Sequence, residues 1–329
     1  MKKLLSLFVL MMFLGAMPLD CHSAQQAGTF KIDFPKREIK LIVPWSPGGA
    51  NDINARFLQP MFKKMFNADL VVENLAGGSS AVGITQAMTA RPDGYTLGYA
   101  SSSYIALIAQ NMVQLTLDNM DLIAVAVEEP ITMYTKAKST YTSLPQVLAA
   151  NKAKPGSIKF GKSGTFTASY VFFSLLQRQA GTSFTVVPFD GASRVITEIL
   201  GGHMDVGISN IGDIMTYVND GVILPLVVFA KNRSTVLPNT PTAEELGFNV
   251  FALGDIIQAS FIMAPKGLNP AVKAELQRMF NEAMATKEYR DFAAQRGFTV
   301  PQLNEKELVK YIQGINIGFT AAAKEFPIQ

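Results

Sequence analysis

The chain has 329 residues, with 29 Lys and Arg against 26 Asp and Glu, for a formal net charge of +3. That balance excludes the strong basic field of a nucleic-acid binder, and a single cysteine excludes a disulfide framework. The length suffices for two modest domains or one large one.

The N-terminus reads Met1-Lys2-Lys3, then an apolar run from Leu4 to Ala16 that is too short for a membrane span, then Ser23-Ala24. This is the pattern of a secretory signal peptide over residues 1–24 with cleavage after Ala24, although His22 is a poor residue for its place before the cut. Cys21 offers a lipoprotein alternative, for which Pro18-Leu19-Asp20 is a weak lead-in. Removing residues 1–24 takes away Lys2, Lys3 and Asp20 and lowers the net charge by one. The mature chain is expected in the periplasm. It has no cysteine and keeps one histidine, His203, so thiolate chemistry and His-rich metal sites are excluded.

Ile39-Lys40-Leu41-Ile42-Val43 reads as a buried strand, and the spacing of Ile53, Phe57, Leu58, Met61, Phe62 and Met65 predicts a helix after it. Between them lies Trp45-Ser46-Pro47-Gly48-Gly49-Ala50-Asn51-Asp52. Adjacent glycines let backbone N–H groups approach a ligand, and the N-terminus of the following helix favours an anion. The same residues also suit a plain tight turn with Asn51 or Asp52 as an N-cap.

The grammar repeats. Val71 to Asn74 is a strand, Leu75 to Ser80 a Gly-rich turn, and Ala81 to Thr89 a helix. Tyr95 to Ala100 is the next strand, and Ser101-Ser102-Ser103 open a segment from Tyr104 to Gln110. Strands follow at Leu122–Val127 and Ile131–Tyr134, then a helix at Leu144–Ala153. Ile158 to Gly161 is a strand running into Lys162-Ser163-Gly164-Thr165, with a helix at Ala168–Gln179. Phe184 to Pro188 leads to Phe189-Asp190-Gly191-Ala192-Ser193 and a helix to Leu200; Met204 to Ile208 leads to Ser209-Asn210. Val222–Ala230 and Ile256–Ala264 are apolar strands, and helices at Pro270–Thr286 and Glu305–Lys324 close the chain. Repeated β–α alternation predicts mostly parallel sheets flanked by helices, with ligands beyond the C-terminal strand ends. The repetition divides into two lobes, residues 25–129 with 251–329 and residues 130–250, forming a cleft that closes by a hinge.

Gly156-Ser157-Ile158-Lys159-Phe160-Gly161-Lys162-Ser163 matches the phosphate-loop pattern by letter, but the strand falls inside it rather than before it, so no nucleotide or other cofactor is expected. No Gly-x-Ser-x-Gly elbow or metal-ligand cluster stands in the chain, so it is not expected to be an enzyme, a secreted hydrolase included. His203 precedes a strand at the end opposite the cleft and reads as structural.

Many of these short segments together resemble the periplasmic solute-binding proteins of the tripartite tricarboxylate transporter family, the Bug or TctC type. The matching residues are Phe34-Pro35, Ile42 to Asp52, Val72-Glu73-Asn74 with Gly77-Gly78, Arg91 to Leu97, Lys154-Pro155-Gly156, Val187 to Gly191, Gly201 to Asp205, Leu237 to Thr242 and Ala264 to Gly267, in the family's order across residues 33–325. The resemblance implies a two-lobed type II periplasmic binding protein that holds a carboxylate by backbone groups and waters and delivers it to a small and a large permease subunit; a monomer is expected, and a di- or tricarboxylate, an amino acid and an aromatic acid all stay open as the ligand. It implies two facing loops, Pro47 to Asp52 and Phe189-Asp190-Gly191. Asp190 departs from the family, which often has Lys or Arg there. A carboxylate at that place disfavours a second ligand carboxylate close by, or favours a ligand amine, unless it points to solvent. A sensing module that reports to a membrane kinase shares the fold and stays open as an alternative.

The expected ligand-binding residues are Trp45, Ser46, Pro47, Gly48, Gly49, Asn51 and Asp52 on the first loop, and Ser101 and Ser102 after the third strand. Ser163 and Thr165, then Phe189, Asp190, Gly191 and Ala192, and finally Asn210 come from the second half. Trp45 suits an apolar wall or a core place under the loop, Asp52 is better suited to hold the loop than to meet an anion, and Arg194 suits a carboxylate grip or a solvated helix place. No catalytic or metal-ligating residue is expected.

Overall fold

The structure, a computed structural model, describes residues 32–164, 166–254 and 256–327. The expected signal peptide with Cys21, and the site candidate Thr165, lie outside them.

The first half opens as β1 (Ile39–Val43), α1 (Ala50–Phe66), β2 (Leu70–Asn74), α2 (Ala81–Met88), β3 (Thr96–Ser101), α3 (Ser102–Ala109) and β4 (Met120–Glu128). Only Glu129 and Pro130 separate β4 from β5 (Ile131–Lys136), which is followed by α4 (Leu144–Ala153), β6 (Lys159–Ser163), α5 (Ala168–Ala180), β7 (Thr185–Phe189), α6 (Ala192–Leu200), β8 (Val206–Asn210), α7 (Ile211–Asn219) and β9 (Ile223–Phe229). The chain ends with β10 (Ala259–Pro265), α8 (Pro270–Ala285), α9 (Lys287–Gln295) and α10 (Glu305–Glu325).

The strands form two five-stranded sheets, ordered β2-β1-β3-β10-β4 and β7-β6-β8-β5-β9. In each, four strands point one way and one is reversed: β10 is antiparallel to β3 and β4, and β5 to β8 and β9. The sheets are therefore mixed where the sequence pattern predicts a mostly parallel arrangement. The reversal has a simple cause. β5 and β10 are the strands by which the chain enters one sheet directly from the other. A chain leaving at the C-terminal edge of β4 or β9 starts its next strand at that same edge, so it must run backwards.

Two helices go beyond the expected set. α7 is anchored by a capping box in which the Asn210 side chain takes the Asp213 N–H and the Asp213 carboxylate takes the Asn210 N–H. α9 is capped by Thr286, whose Oγ1 accepts the Tyr289 N–H, so the predicted end of α8 is also the start of another helix. α3 and α6 begin earlier than their apolar periodicity indicates, at Ser102 and Ala192, because polar first-turn residues carry no such signal. β6 occupies the second part of the phosphate-loop look-alike, which removes the flexible loop that phosphate binding needs.

Apolar packing covers both faces of the first sheet. One core gathers Ile39, Leu41, Val43, Phe62, Phe280 and Phe298; a larger one runs from Ile84 and Tyr104 through Phe261 to Phe160, Phe172 and Phe229, and so spans strands of both sheets. Asn54 of α1 is the polar exception in the first core. It is 0% exposed, and its Oδ1 accepts both the Tyr99 and the Tyr289 hydroxyls, at 2.8 and 2.7 Å. Asn54→Leu keeps the branched outline in a somewhat larger side chain but leaves two buried hydroxyls without that acceptor, an expected loss of about 2–3 kcal/mol. Urea unfolding at unchanged m-value measures it, and a loss within error of zero removes Asn54 as their anchor. No helix of the described residues is long and apolar enough to cross a membrane.

Candidate functional site

The two sheets face each other with the C-terminal ends of β1, β3, β6, β7 and β8 lining one cavity. Its walls are Trp45, Ser46, Gly49, Ala50, Asn51, Ser101, Ser103, Ser163, Thr167, Ser169, Gly191, Ala192, Ser193, Asn210, Asp213 and Gln258, around a free volume of about 40 Å³.

The loop after β1 is shaped by its own glycine and a nearby acid. Gly48 has φ +82°, a left-handed conformation that a side chain with a Cβ resists. Its N–H donates to Asp52 Oδ2 at 2.9 Å. Asp52 Oδ1 accepts from Arg56 Nε at 2.8 Å and Asn74 Nδ2 at 2.9 Å, and Asn74 Nδ2 also donates to the Trp45 carbonyl. Burial alone would raise the Asp52 pKa, but the Gly48 N–H, Arg56 and Asn74 outweigh it and hold the carboxyl below its usual range. Asp52 is thus spent on holding the loop and does not line the cavity. Pro47 and Gly48 lie on the exposed outer side of the turn. Trp45 is only 9% exposed; it belongs to the first core and also lines the cavity.

On the facing side, Gly191 sits opposite Ser46: a Cβ built on Gly191 lies 3.6 Å from Ser46 Cβ. Phe189 packs toward the Tyr134 and Val195 cluster, and Asp190, one residue past the end of β7, is exposed; neither is among the residues that line the cavity. Arg194 is paired with Glu198 on the exposed side of α6, and His203 Nδ1 lies 2.8 Å from Glu198 Oε2, away from the cavity. Ser102 is also outside it. Its hydroxyl donates to the Ile257 carbonyl at 2.7 Å and accepts the Ala259 N–H, a structural tie between α3 and β10.

The cavity brings together Trp45, Ser46, Gly49, Asn51, Ser101, Ser163, Gly191, Ala192 and Asn210 of the expected set. It adds Ala50, Ser103, Thr167, Ser169, Ser193, Asp213 and Gln258. Asp213 was legible as the third residue after an Asn N-cap, a capping signature. Gln258 had no signal, because it lies between elements in a stretch without periodicity.

Three features set the electrostatics. First, the lining includes residues at the N-terminal ends of five helices: Ala50 of α1, Ser101 and Ser103 of α3, Thr167 and Ser169 of α5, Gly191 and Ala192 of α6, and Asn210 and Asp213 of α7. The dipoles and first-turn N–H groups of such helix ends favour an anion, although those of Ala50, Asn210 and Asp213 are taken up within the protein. Second, seven hydroxyls and three amides line the space, with no Lys, Arg or His among the lining residues. The Ser101 hydroxyl is 0% exposed and has no hydrogen-bond partner. Third, Asp213 Oδ1 accepts the Ala50 N–H at 2.7 Å, joining α7 of one sheet to α1 of the other. Burial pushes the Asp213 carboxyl up to about 6, against the lowering effect of the Ala50 and Asn210 N–H groups and of Arg296.

Beneath this floor, Glu129 stands in the two-residue link between β4 and β5 and is 1% exposed. Ser260 Oγ of β10 and Asn210 Nδ2 of β8 donate to its carboxyl. With its amide turned to satisfy the surrounding groups, Asn51 Nδ2 donates to Glu129 Oε1 at 3.2 Å and its Oδ1 accepts Trp45 Nε1–H at 3.3 Å. Burial pushes Glu129 up to about 8, with the charge of Asp213 adding to the rise and the Ser260 and Asn210 bonds opposing it.

Comparison with known proteins agrees with this geometry. The tripartite tricarboxylate transporter family receptor pattern, TctC, matches residues 54–317. Protein BugT of Bordetella pertussis is 28% identical over 270 residues, covering 81% of this chain and 82% of its own. Among solved structures, the periplasmic binding protein BugD superposes with a TM-score of 0.83 at 21% identity, covering 89% of this chain and 98% of its own. MatC from Rhodopseudomonas palustris with bound malate superposes at 0.80 and 22%, covering 88% and 99%. The two mixed sheets flanked by helices are the periplasmic binding protein fold, and the chain belongs to the tripartite tricarboxylate transporter receptor family.

Proposed function

We propose that this chain is an exported solute-binding protein that takes a small organic carboxylate between its two sheets and delivers it to the small and large permease subunits of a tripartite tricarboxylate transporter. The observation that carries the reading is the convergence of five helix N-termini and seven hydroxyls on one cavity. An anion held this way needs no cationic side chain, because preorganised N–H dipoles replace its water shell. The malate held by MatC supports the carboxylate class. The protein acts as a periplasmic monomer. Of the described residues, 32–129 with 251–327 form one lobe and 130–250 the other, and closure turns about Glu129-Pro130 and the return into β10. The Ala50–Asp213 contact supports this reading, because it bridges the two units at the cavity.

A thermal-shift screen of carboxylates, each hit checked by calorimetry, tests the ligand class. Stabilisation by carboxylates is the expected result; stabilisation by sugars or metal ions alone would sink it. Gly48→Val serves as the loop test. Nothing lies within 4 Å of a Cβ built there, so the chain still folds, but valine at φ +82° is strained and displaces the loop. Affinity is expected to fall by about tenfold or more, which corresponds to roughly 1.4 kcal/mol or more. Full affinity in that variant would remove the loop from the site.

A further inference from the structure

Among the described residues, Asp213 is the only ionisable side chain lining the cavity. A capping-box acid needs only the N–H of its own N-cap, and Asp213 Oδ2 makes that bond, to Asn210 N–H at 3.2 Å. Its other oxygen does something the cap does not require: it crosses the cleft and takes the Ala50 N–H at the start of α1. The protein's own carboxylate therefore occupies the first anion-favouring N–H of that helix. Each carboxylate oxygen keeps further lone-pair capacity, which only a hydrogen-bond donor can use. A ligand carboxylate brought beside it meets a like charge in an enclosed space, with no cationic side chain among the lining residues. The buried, unpartnered Ser101 hydroxyl and the remaining helix N-termini stay available to one ligand carboxylate.

From this we propose that Asp213 sets the ligand class within the carboxylate reading, on which the inference rests: the cleft prefers a small zwitterion, one carboxylate plus an ammonium that meets Asp213, over a dicarboxylate of the same length. The charged and titratable groups around Asp213 are Glu129 from the β4–β5 link, Tyr134 from β5 and Arg296 after α9. Arg296 offsets part of the Asp213 charge, Tyr134 is held neutral by burial, and Glu129, pushed up to about 8, keeps most of its proton at pH 7.5.

Calorimetry on the full mature chain with three matched pairs tests the proposal: glycine and malonate, β-alanine and succinate, γ-aminobutyrate and glutarate. In the pair of best-fitting length the zwitterion is expected to bind about tenfold or more tighter than the dianion at pH 7.5. Asp213→Asn keeps an acceptor for the cap and is expected to erase or invert that ratio, which a purely structural role in capping would leave unchanged. Should that variant fold poorly, the wild type supplies the second readout. Each zwitterion is expected to bind the wild type more tightly than the monocarboxylate of the same length that lacks its ammonium, acetate, propionate or butyrate in turn. A dianion that binds wild type as tightly as its zwitterion partner, a zwitterion no tighter than that monocarboxylate, or a ratio that Asp213→Asn leaves unchanged, overturns the assignment to Asp213 alone. Absence of binding by every carboxylate, these and simple monocarboxylates included, overturns the carboxylate reading with it.

Discussion

Glu129→Gln is expected to raise the stability of the protein at about pH 8 while leaving it almost unchanged at about pH 5. Folding buries Glu129 to 1% exposure and pushes its carboxyl up to about 8 from an ordinary 4.5. Between those values the native protein holds a proton that the unfolded chain has released. Folding in that window takes up a proton, so stability is greatest at the acid end and falls as pH rises. The raised pKa corresponds to a loss of about 3–5 kcal/mol across the window. Glutamine has the shape of the neutral acid. Its amide can donate to Ser260 Oγ and its carbonyl can accept from Asn210 Nδ2, and it has no proton to lose. Thermal unfolding of both proteins from about pH 5 to pH 8 reads the effect, with a difference in Tm of about 5–10 °C expected at the upper end. Parallel curves would mean that Glu129 stays charged in the folded protein. The position gives the result wider meaning. Glu129 ties Asn51, Asn210 and Ser260 together directly under the cavity, so its proton also decides how firmly the cavity floor is held.

Gly212→Ala is expected to weaken ligand binding without unfolding either core. Gly212 lies in the first turn of α7, against Phe298 of the first sheet's core, and a Cβ built on it would stand 2.1 Å from Phe298 Cζ. Phe298 is 4% exposed, so its ring has little room to withdraw. Relief comes instead from moving α7 away from the first sheet, which also draws Asp213 from Ala50 N. Overpacking of this kind costs about 1–3 kcal/mol. Because the strain exists only when α7 sits against Phe298, it acts on closure, and affinity is expected to drop by about 10- to 100-fold. Alanine is also the better helix former, which protects the local structure of α7. Calorimetry with the ligand found by the screen, and small-angle scattering for the closed fraction, check this together. Unchanged affinity would show that closure does not depend on the Gly212–Phe298 contact.

The repeating units were legible because period and punctuation are local. Apolar runs such as Leu41 to Val43 and the spacing from Ile53 to Met65 locate strand and helix without reference to any distant residue, and Gly48-Gly49 and Gly191 mark the turns between them. The same local chemistry put Trp45, Ser46, Gly49, Asn51, Ser101, Ser163, Gly191, Ala192 and Asn210 at strand ends, where the cavity lies. Illegible were the directions of side chains within those turns. Ser102 is tied to β10 while its neighbours Ser101 and Ser103 line the cavity, and three consecutive serines carry no apolar pattern from which those directions could be read. Phe189 packs with Tyr134 and Val195, and Asp190, one residue past the end of β7, is exposed.

The sequence by itself therefore determined the family, the β–α grammar and the loops that line the cavity, since each rests on residues close in the chain. Only the tertiary structure decided the charge of the site. Asp213 reaches Ala50 across 163 positions and Ser260 reaches Glu129 across 131, pairings that leave no periodic trace in the sequence. The burial that raises both carboxyls is likewise a property of everything packed around them, created when the chain crosses from one sheet to the other and back.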